Sequence, residues 1–499
     1  MGAELIVHNC VLPLGEPGHD AIAVRCGRIQ AVGRQQDVFR LRNEGTMTMD
    51  LSGKPVLPGF FDAHTHFLQT GLELTYYVNL STARSLSDAL DMLAEAAQKR
   101  PDQWVVGRGW DESRWKEKRY LERQDLDRAI PRQPGCAVRV DGHLIACNTL
   151  ALAHCSAPEG ELVDRERGHL RETPAWELLA GIRLDPEEGM EALAEASRHA
   201  AALGVTAVAE MGGGAAMKAY QAAHRRELLQ TRAFLYLPRE GLGSLTELEI
   251  ERGFGDEKLR IAGLKAFLDG SVGAGSAALQ EPYVGREDCG SLLMDEGELA
   301  KLWHAAGHAG LQLAVHAIGD RAIDTALSAA SAAGVISEDR HRLEHLELAT
   351  EEQLDRMADL GLVASMQPNF VANWSGWGGM YEKRLGPERD ARIDPHAWVL
   401  GREIPLAFGS DGMPMGPLSG MAAVLAPPHE PQRVPLEDAL RAYTSGAAWA
   451  AFADEELGRI AKGCRADLVV LSADPRREPG EEVRVEMTFL GGQRIFERR

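Results

Sequence analysis

The chain has 499 residues, enough for about three ordinary domains or for a single barrel of 250 or more with additions. Hydrophobic residues are 44% and charged residues 26%, the balance of a globular protein, which excludes a largely disordered chain, a collagen and a small disulfide-stapled scaffold. With 54 Lys and Arg against 74 Asp and Glu the net charge is −20, so neither nucleic acid nor an anionic membrane surface is an expected partner. The seven cysteines (10, 26, 136, 147, 155, 289 and 464) form no CxxC pair and are odd in number, the pattern of reduced thiols in a cytoplasm. No basic stretch followed by an apolar core opens the chain, and no apolar run reaches the ~18 residues of a membrane span, so a cytoplasmic location is expected.

In chain order, residues 21–24 and 29–32 alternate around Gly27 as a hairpin, and Leu51-Ser52-Gly53-Lys54-Pro55 is a turn. Eight apolar, strand-like runs follow: 56–63, 205–210, 233–237, 261–267, 311–316, 342–345, 362–366 and 404–411. Continuous apolar runs suit strands buried on both faces, and Ala-rich helical segments such as 298–309 and 320–333 lie between them. Eight strand–helix repeats predict a (β/α)8 barrel. Residues 68–190 interrupt it after the first strand. They carry strand candidates of their own at 104–109 and 137–140, and a connection this long predicts an α/β subdomain or lid. The last 40 residues return to strands at 466–471 and 483–489 with a Gly491-Gly492 hairpin. The expected organisation is therefore a composite β-sandwich from 1–57 plus 459–499, a barrel from 58–67 plus 191–458, and the insertion 68–190.

The chemistry-bearing residues gather at the ends of those runs. His64-Thr65-His66 places two imidazoles on one face of the first strand. His316 and His345 end the fifth and sixth runs, and Asp411 ends the eighth. Singly, each His reads as a hydrogen-bonded structural residue and Asp411 as a helix cap. Lys265 inside Gly263-Leu264-Lys265-Ala266-Phe267 is costlier to explain, because a buried ammonium must be paired or neutralised. Together, four His, one Lys and one Asp fall at the C-terminal ends of five strands, the rim where barrel active sites form. Other motifs fail: Asp269-Gly270-Ser271-Val272-Gly273-Ala274-Gly275 lacks the Gly-Lys-Ser/Thr ending of a phosphate loop, and neither Ser410 nor Ser445 sits in a nucleophile elbow. Trp374-Ser375-Gly376-Trp377-Gly378-Gly379-Met380 reads as an aromatic loop after the seventh strand, a lid or a surface loop.

The segments VLPGFFDAHTH, GLKAFLDGSVG, LAVHAIGDRA, RLEHLEL and AFGSDGMP resemble the metal-dependent amidohydrolase superfamily, in the branch of N-substituted formamide deformylase-like proteins. The resemblance implies that His64, His66, His316, His345 and Asp411 bind one or two divalent metals, with zinc expected, and that Lys265 carries a CO2-derived carbamate bridging two ions roughly 3.5–4 Å apart. It implies a metal-activated hydroxide attacking an amide-type, non-peptide C–N bond of a small molecule, with Asp411 as the catalytic proton carrier. Trp110, His143, Asp269 and Phe370 are implied substrate contacts. Trp110, Asp111, Trp115 and His143 come from the insertion, and Glu172 matches a family position without an assigned role. Two departures stand on substrate-facing loops: Gly275-Ser276 where relatives carry Arg-Thr, and Asn369-Phe370 after Gln367-Pro368 where relatives carry His. The alternatives are an ester, lactone or deamination substrate on the same scaffold, or a non-catalytic binding protein, against which the intact ligand set argues. Dimers or tetramers are implied by the resemblance as well.

Overall fold

In the computed structural model of the chain, which describes residues 2–140, 142, 144–160, 162–182, 185–212, 216–476 and 483–498, the run expected as one strand at 56–63 is two strands in two different sheets. Val56–Pro58 pairs antiparallel with Leu468–Leu471, whereas Phe60–Thr65 opens the barrel. Gly59 makes the switch: a Cβ there would collide with the Thr206 side chain.

The barrel strands are Phe60–Thr65, Val205–Met211, Arg232–Pro238, Leu259–Phe267, Gln312–Ala317, Arg342–His345, Val363–Met366 and Leu406–Phe408, each parallel to its neighbour in sequence order. The eighth is shorter than the expected 404–411 because the chain turns inward after Phe408. Ser410 N and Asp411 N both donate to His64 O, at 3.0 and 2.7 Å, and tie the eighth strand to the first. Gly409 permits that approach, since a Cβ there would collide with the His64 backbone. Small side chains (Ala63, Ala207, Ala209, Ala262, Ala314 and Ala407) share one buried cluster with Phe61, Phe234 and Tyr236. Arg342, Glu344 and Gln312 are buried as well, with Arg342 bonded to Ala63 O and Tyr236 OH. The flanking helices carry ordinary end signals. Asp295 Oδ1 accepts Glu298 N at the start of Glu296–His308, and left-handed Gly334 ends Asp320–Ala333.

Both chain ends build one sandwich. One sheet runs Arg28–Gly33, Ala21–Arg25, Leu5–His8, Met47–Asp50; the other runs Gln493–Glu497, Val485–Leu490, Leu468–Leu471, Val56–Pro58. Val7, Ile22, Val24 and Ile29 of the first sheet pack with Val56, Leu468, Val470 and Phe489 of the second.

Met1–Leu68 and Ala196–Arg499 form one compact unit and Gln69–Glu195 a second. The second has a six-stranded mixed sheet including Val105–Trp110, Gly135–Arg139 and Leu144–Cys147, with Leu86–Lys99 and Arg123–Ala129 as helices. Among the described residues no helix is long and apolar enough to cross a membrane.

Candidate metal centre

The C-terminal ends of the first, sixth and eighth strands bring His64, His345 and Asp411 together, with one ligand atom of each within 4.8 Å of the others. His64 Nε2 lies 3.4 Å and His66 Nε2 3.0 Å from Asp411 Oδ1. The His345 ring is 4.8 Å from that of His64 and 4.4 Å from that of His316, centroid to centroid. His345 and Asp411 both have left-handed backbones (φ 76° and 54°), a strained conformation for side-chain-bearing residues that clusters at functional sites. Asp411 is not a helix cap: the next helix, Pro417–Leu425, has Gly416 at its N-cap.

Three of the four imidazoles have a further ring-nitrogen contact that orients them. His64 Nδ1 meets Glu344 Oε2 at 2.5 Å, His345 Nδ1 meets Gln367 Oε1 at 2.7 Å, and His316 Nε2 meets Gly270 O at 3.1 Å. Asp62 holds the turn beneath Asp411: its carboxylate accepts Ser410 N at 2.9 Å and Ser410 Oγ at 2.5 Å. Asn369 Nδ2 donates to Ser410 O at 2.9 Å and Met413 O at 2.7 Å, bracketing Asp411 from the other side.

Among the described residues, the buried polar atoms without a hydrogen-bond partner include His64 Nε2 and Lys265 Nζ. Orphans of this kind are atoms that a bound ion or a covalent modification would satisfy. Burial lowers the Lys265 amine to about 8 despite the attraction of Glu344 and Asp411. Burial likewise drives His316 to about 3 and His345 well below the usual imidazole range, so both rings stay neutral and able to ligate. Burial alone would raise Asp411, but the attraction of the His64 and His66 nitrogens beside it outweighs that and holds the carboxyl well below its ordinary range. The neutral nitrogens of His316 and His345, the ionised Asp411 carboxylate and the buried Lys265 amine fit a divalent cation with a carbamate as a further ligand.

The expected substrate contacts are placed differently from one another. The Phe370 ring lies parallel to His345 at 6.1 Å and packs on Trp374 at 4.5 Å. Asp269 is buried and its carboxylate accepts three backbone N–H groups, from Ala278, Ile318 and Gly319, at 2.8–3.0 Å; burial still lifts it to about 7. Trp110 is wholly buried in the core of the second unit, stacked on Trp115 with its indole N–H on Ala137 O. His143 and the Glu172 side chain lie outside the described residues. In the loop after Pro368–Trp374, Trp377 is 99% exposed, while Ser375 Oγ is fastened to Asp390 Oδ1 at 2.9 Å. Asp62, Arg342, Glu344 and Gln367 carry no role in the sequence reading; a charge inside an apolar run, the signal that marked Lys265, was present for the first three.

The model of the Amidohydrolase family matches residues 47–496. The chain is 30% identical to protein LONG AFTER FAR-RED 3 of Arabidopsis thaliana, over 99% of this chain and 92% of that one. It is 28% identical to an N-substituted formamide deformylase of Arthrobacter pascens, over 96% and 95%. Among solved structures, an uncharacterized metal-dependent hydrolase from Pyrococcus furiosus superposes with a TM-score of 0.82 at 30% identity, covering 94% of this chain and 99% of that one.

Proposed function

The chain belongs to the amidohydrolase family and is a metal-dependent hydrolase, and on that premise we propose that it cleaves an amide-type, non-peptide C–N bond of a small molecule. The observation that carries the reading is the ring of His64, His345 and Asp411 around the unpartnered His64 Nε2, with Lys265 Nζ buried and equally unpartnered. His64, His66, His316, His345 and Asp411 would hold one or two divalent ions, with zinc preferred by this nitrogen-rich set. Such an ion supplies Lewis acidity, making water nucleophilic near neutral pH and polarising the scissile carbonyl.

The protein's own groups do the rest. Lys265 has the chemistry for a carbamate: its amine, lowered to about 8, is substantially neutral under mildly alkaline conditions, and a neutral amine adds to CO2 with release of one proton. The Asp411 carboxylate, ionised beside His64 and His66, accepts the proton that water loses and returns it to the leaving nitrogen, so that one water is consumed and an acid and an amine are released. Phe370, parallel to His345, offers an apolar wall to the substrate. The similarity to a protein named as a formamide deformylase favours amides over lactones and aminopurines. A cytoplasmic setting belongs to the same proposal, since all seven cysteines are free thiols.

The test is metal analysis of the purified protein with a panel of N-formyl, N-acyl, cyclic-amide, lactone and aminopurine substrates. Bound divalent metal, amide hydrolysis, loss with a chelator and recovery with zinc are expected. Turnover confined to lactones or aminopurines would replace the amide assignment, and a protein that neither holds metal nor gains activity with it would end the reading altogether.

A further inference from the structure

Arg342 and Glu344 sit two residues apart on the sixth barrel strand, and both side chains are completely buried. The guanidinium forks onto the carboxylate, Nε to Oε1 at 2.7 Å and Nη2 to Oε2 at 3.1 Å. Its terminal nitrogens also reach three other strands: Nη2, shared with Glu344, lies 2.7 Å from Ala63 O and 2.8 Å from Ser365 Oγ, and Nη1 lies 3.1 Å from Tyr236 OH. Tyr236 OH in turn donates to Gln312 Oε1, and Gln312 Nε2 donates to Ala450 O at 2.7 Å. At the other end, Glu344 Oε2 receives His64 Nδ1 at 2.5 Å. One hydrogen-bonded chain thus runs through the barrel core and ends on an imidazole whose second nitrogen is buried and unpartnered.

Barrel interiors are ordinarily filled by branched apolar side chains, and a buried ion pair is weak as a stabilising device compared with apolar groups of the same volume. Stability alone therefore gives little reason for an arginine and a glutamate here. Glu344, held by the Arg342 fork, takes the Nδ1 side of His64 and leaves Nε2 as the nitrogen grouped with the ligand atoms of His345 and Asp411. We propose that Arg342 and Glu344 are positioning residues for the metal centre: Glu344 fixes the tautomer and ring plane of His64, and Arg342, anchored on three strands, fixes Glu344. The inference rests on the metal-centre reading given above and adds to it which buried groups set its geometry. A carboxylate in this relation to a metal-bound imidazole is worth about 10–100-fold in metal affinity.

The test compares full-length wild type and Glu344→Gln, stripped of metal and titrated with zinc against a chromogenic chelator, with thermal unfolding of the metal-free proteins recorded alongside. The glutamine variant is expected to bind zinc about 10–100-fold more weakly. Arg232→Met, which breaks the buried ion pair of Arg232 Nε with Asp467 Oδ2 at 2.7 Å, is expected to lower stability and leave zinc affinity unchanged, separating positioning from general weakening. If Glu344→Gln does not fold, Glu344→Asp keeps a charge opposite Arg342 while drawing the acceptor away from His64, and a clear loss of zinc affinity is expected there too. A variant constant within about threefold of wild type, far inside the range for such a contact, would overturn the positioning role alone. A wild-type chain that bound no zinc would instead overturn the metal reading itself.

Discussion

Asp411 joins two imidazoles through one oxygen while its backbone is held in a left-handed turn, a conformation that asparagine also tolerates. Asp411→Asn is therefore expected to fold but to lose about 10²–10⁴ in kcat/KM, the range of a general acid–base group, as steady-state kinetics with metal analysis would show. A second residue reports on pH. Burial pulls His396 down to about 4 from an ordinary 6.5. Between those values the unfolded chain holds the extra proton, so this contribution to stability is complete above about 6.5 and is lost as pH falls toward 4. His396→Gln is expected to flatten the decline of Tm between pH 7 and 4.5 relative to wild type, measured by scanning calorimetry. The six proposed ligands were legible in the sequence because each stands at a strand end or breaks an apolar run. Glu344 and Asp62 break apolar runs as well, but their partners, His64 and Ser410, lie hundreds of residues away and become neighbours only when the barrel closes. Trp110 shows the reverse case: a Trp-rich motif reads the same whether its ring faces a substrate or, as here, a core.

At the level of elements, the loops after the fourth and fifth strands are stapled by Asp269, whose carboxylate accepts Ala278 N, Ile318 N and Gly319 N. Asp269→Ala orphans three buried amides, at about 1–3 kcal/mol each, so a loss of several kcal/mol in urea unfolding is expected. The folded remainder should keep a nearly unchanged KM, because the carboxylate oxygens are committed to the backbone. Most elements follow the sequence closely; the strand 342–345 and the helix 320–333 begin and end as expected. The misread run at 56–63 is instructive. Its apolar pattern is unbroken, and what divides it is membership of two sheets, a tertiary property carried locally by Gly59 alone. The eighth strand was overestimated for a related reason: Gly409, Ser410 and Asp411 look strand-like but bend to bond His64 O.

On the scale of the molecule, Arg232 at the start of the third barrel strand forks onto Asp467, Nε to Oδ2 at 2.7 Å and Nη2 to Oδ1 at 2.9 Å, and Asp467 Oδ1 also accepts Gly491 N at 2.7 Å. This buried bridge ties the barrel to the C-terminal strands. Arg232→Met leaves Asp467 buried without its cation, and a loss of about 3–5 kcal/mol is expected in denaturant unfolding, with turnover per folded molecule unchanged. That both chain ends share one domain could be read from two strand-rich termini flanking a strand–helix middle. The bridge could not, because nothing near Arg232 or Asp467 in the chain announces the other.

The pairing of Val56–Pro58 with Leu468–Leu471 also bears on how the protein is made. Translation delivers the first of these strands some 410 residues before the second. At about 5–20 residues per second the early strand waits roughly 20–80 s for its partner. Through that interval three strands of the second sheet are missing, so the sandwich closes only after the residues of the barrel strands have been synthesised. A ribosome stalled before residue 468 would leave Val56–Pro58 without its partner strand.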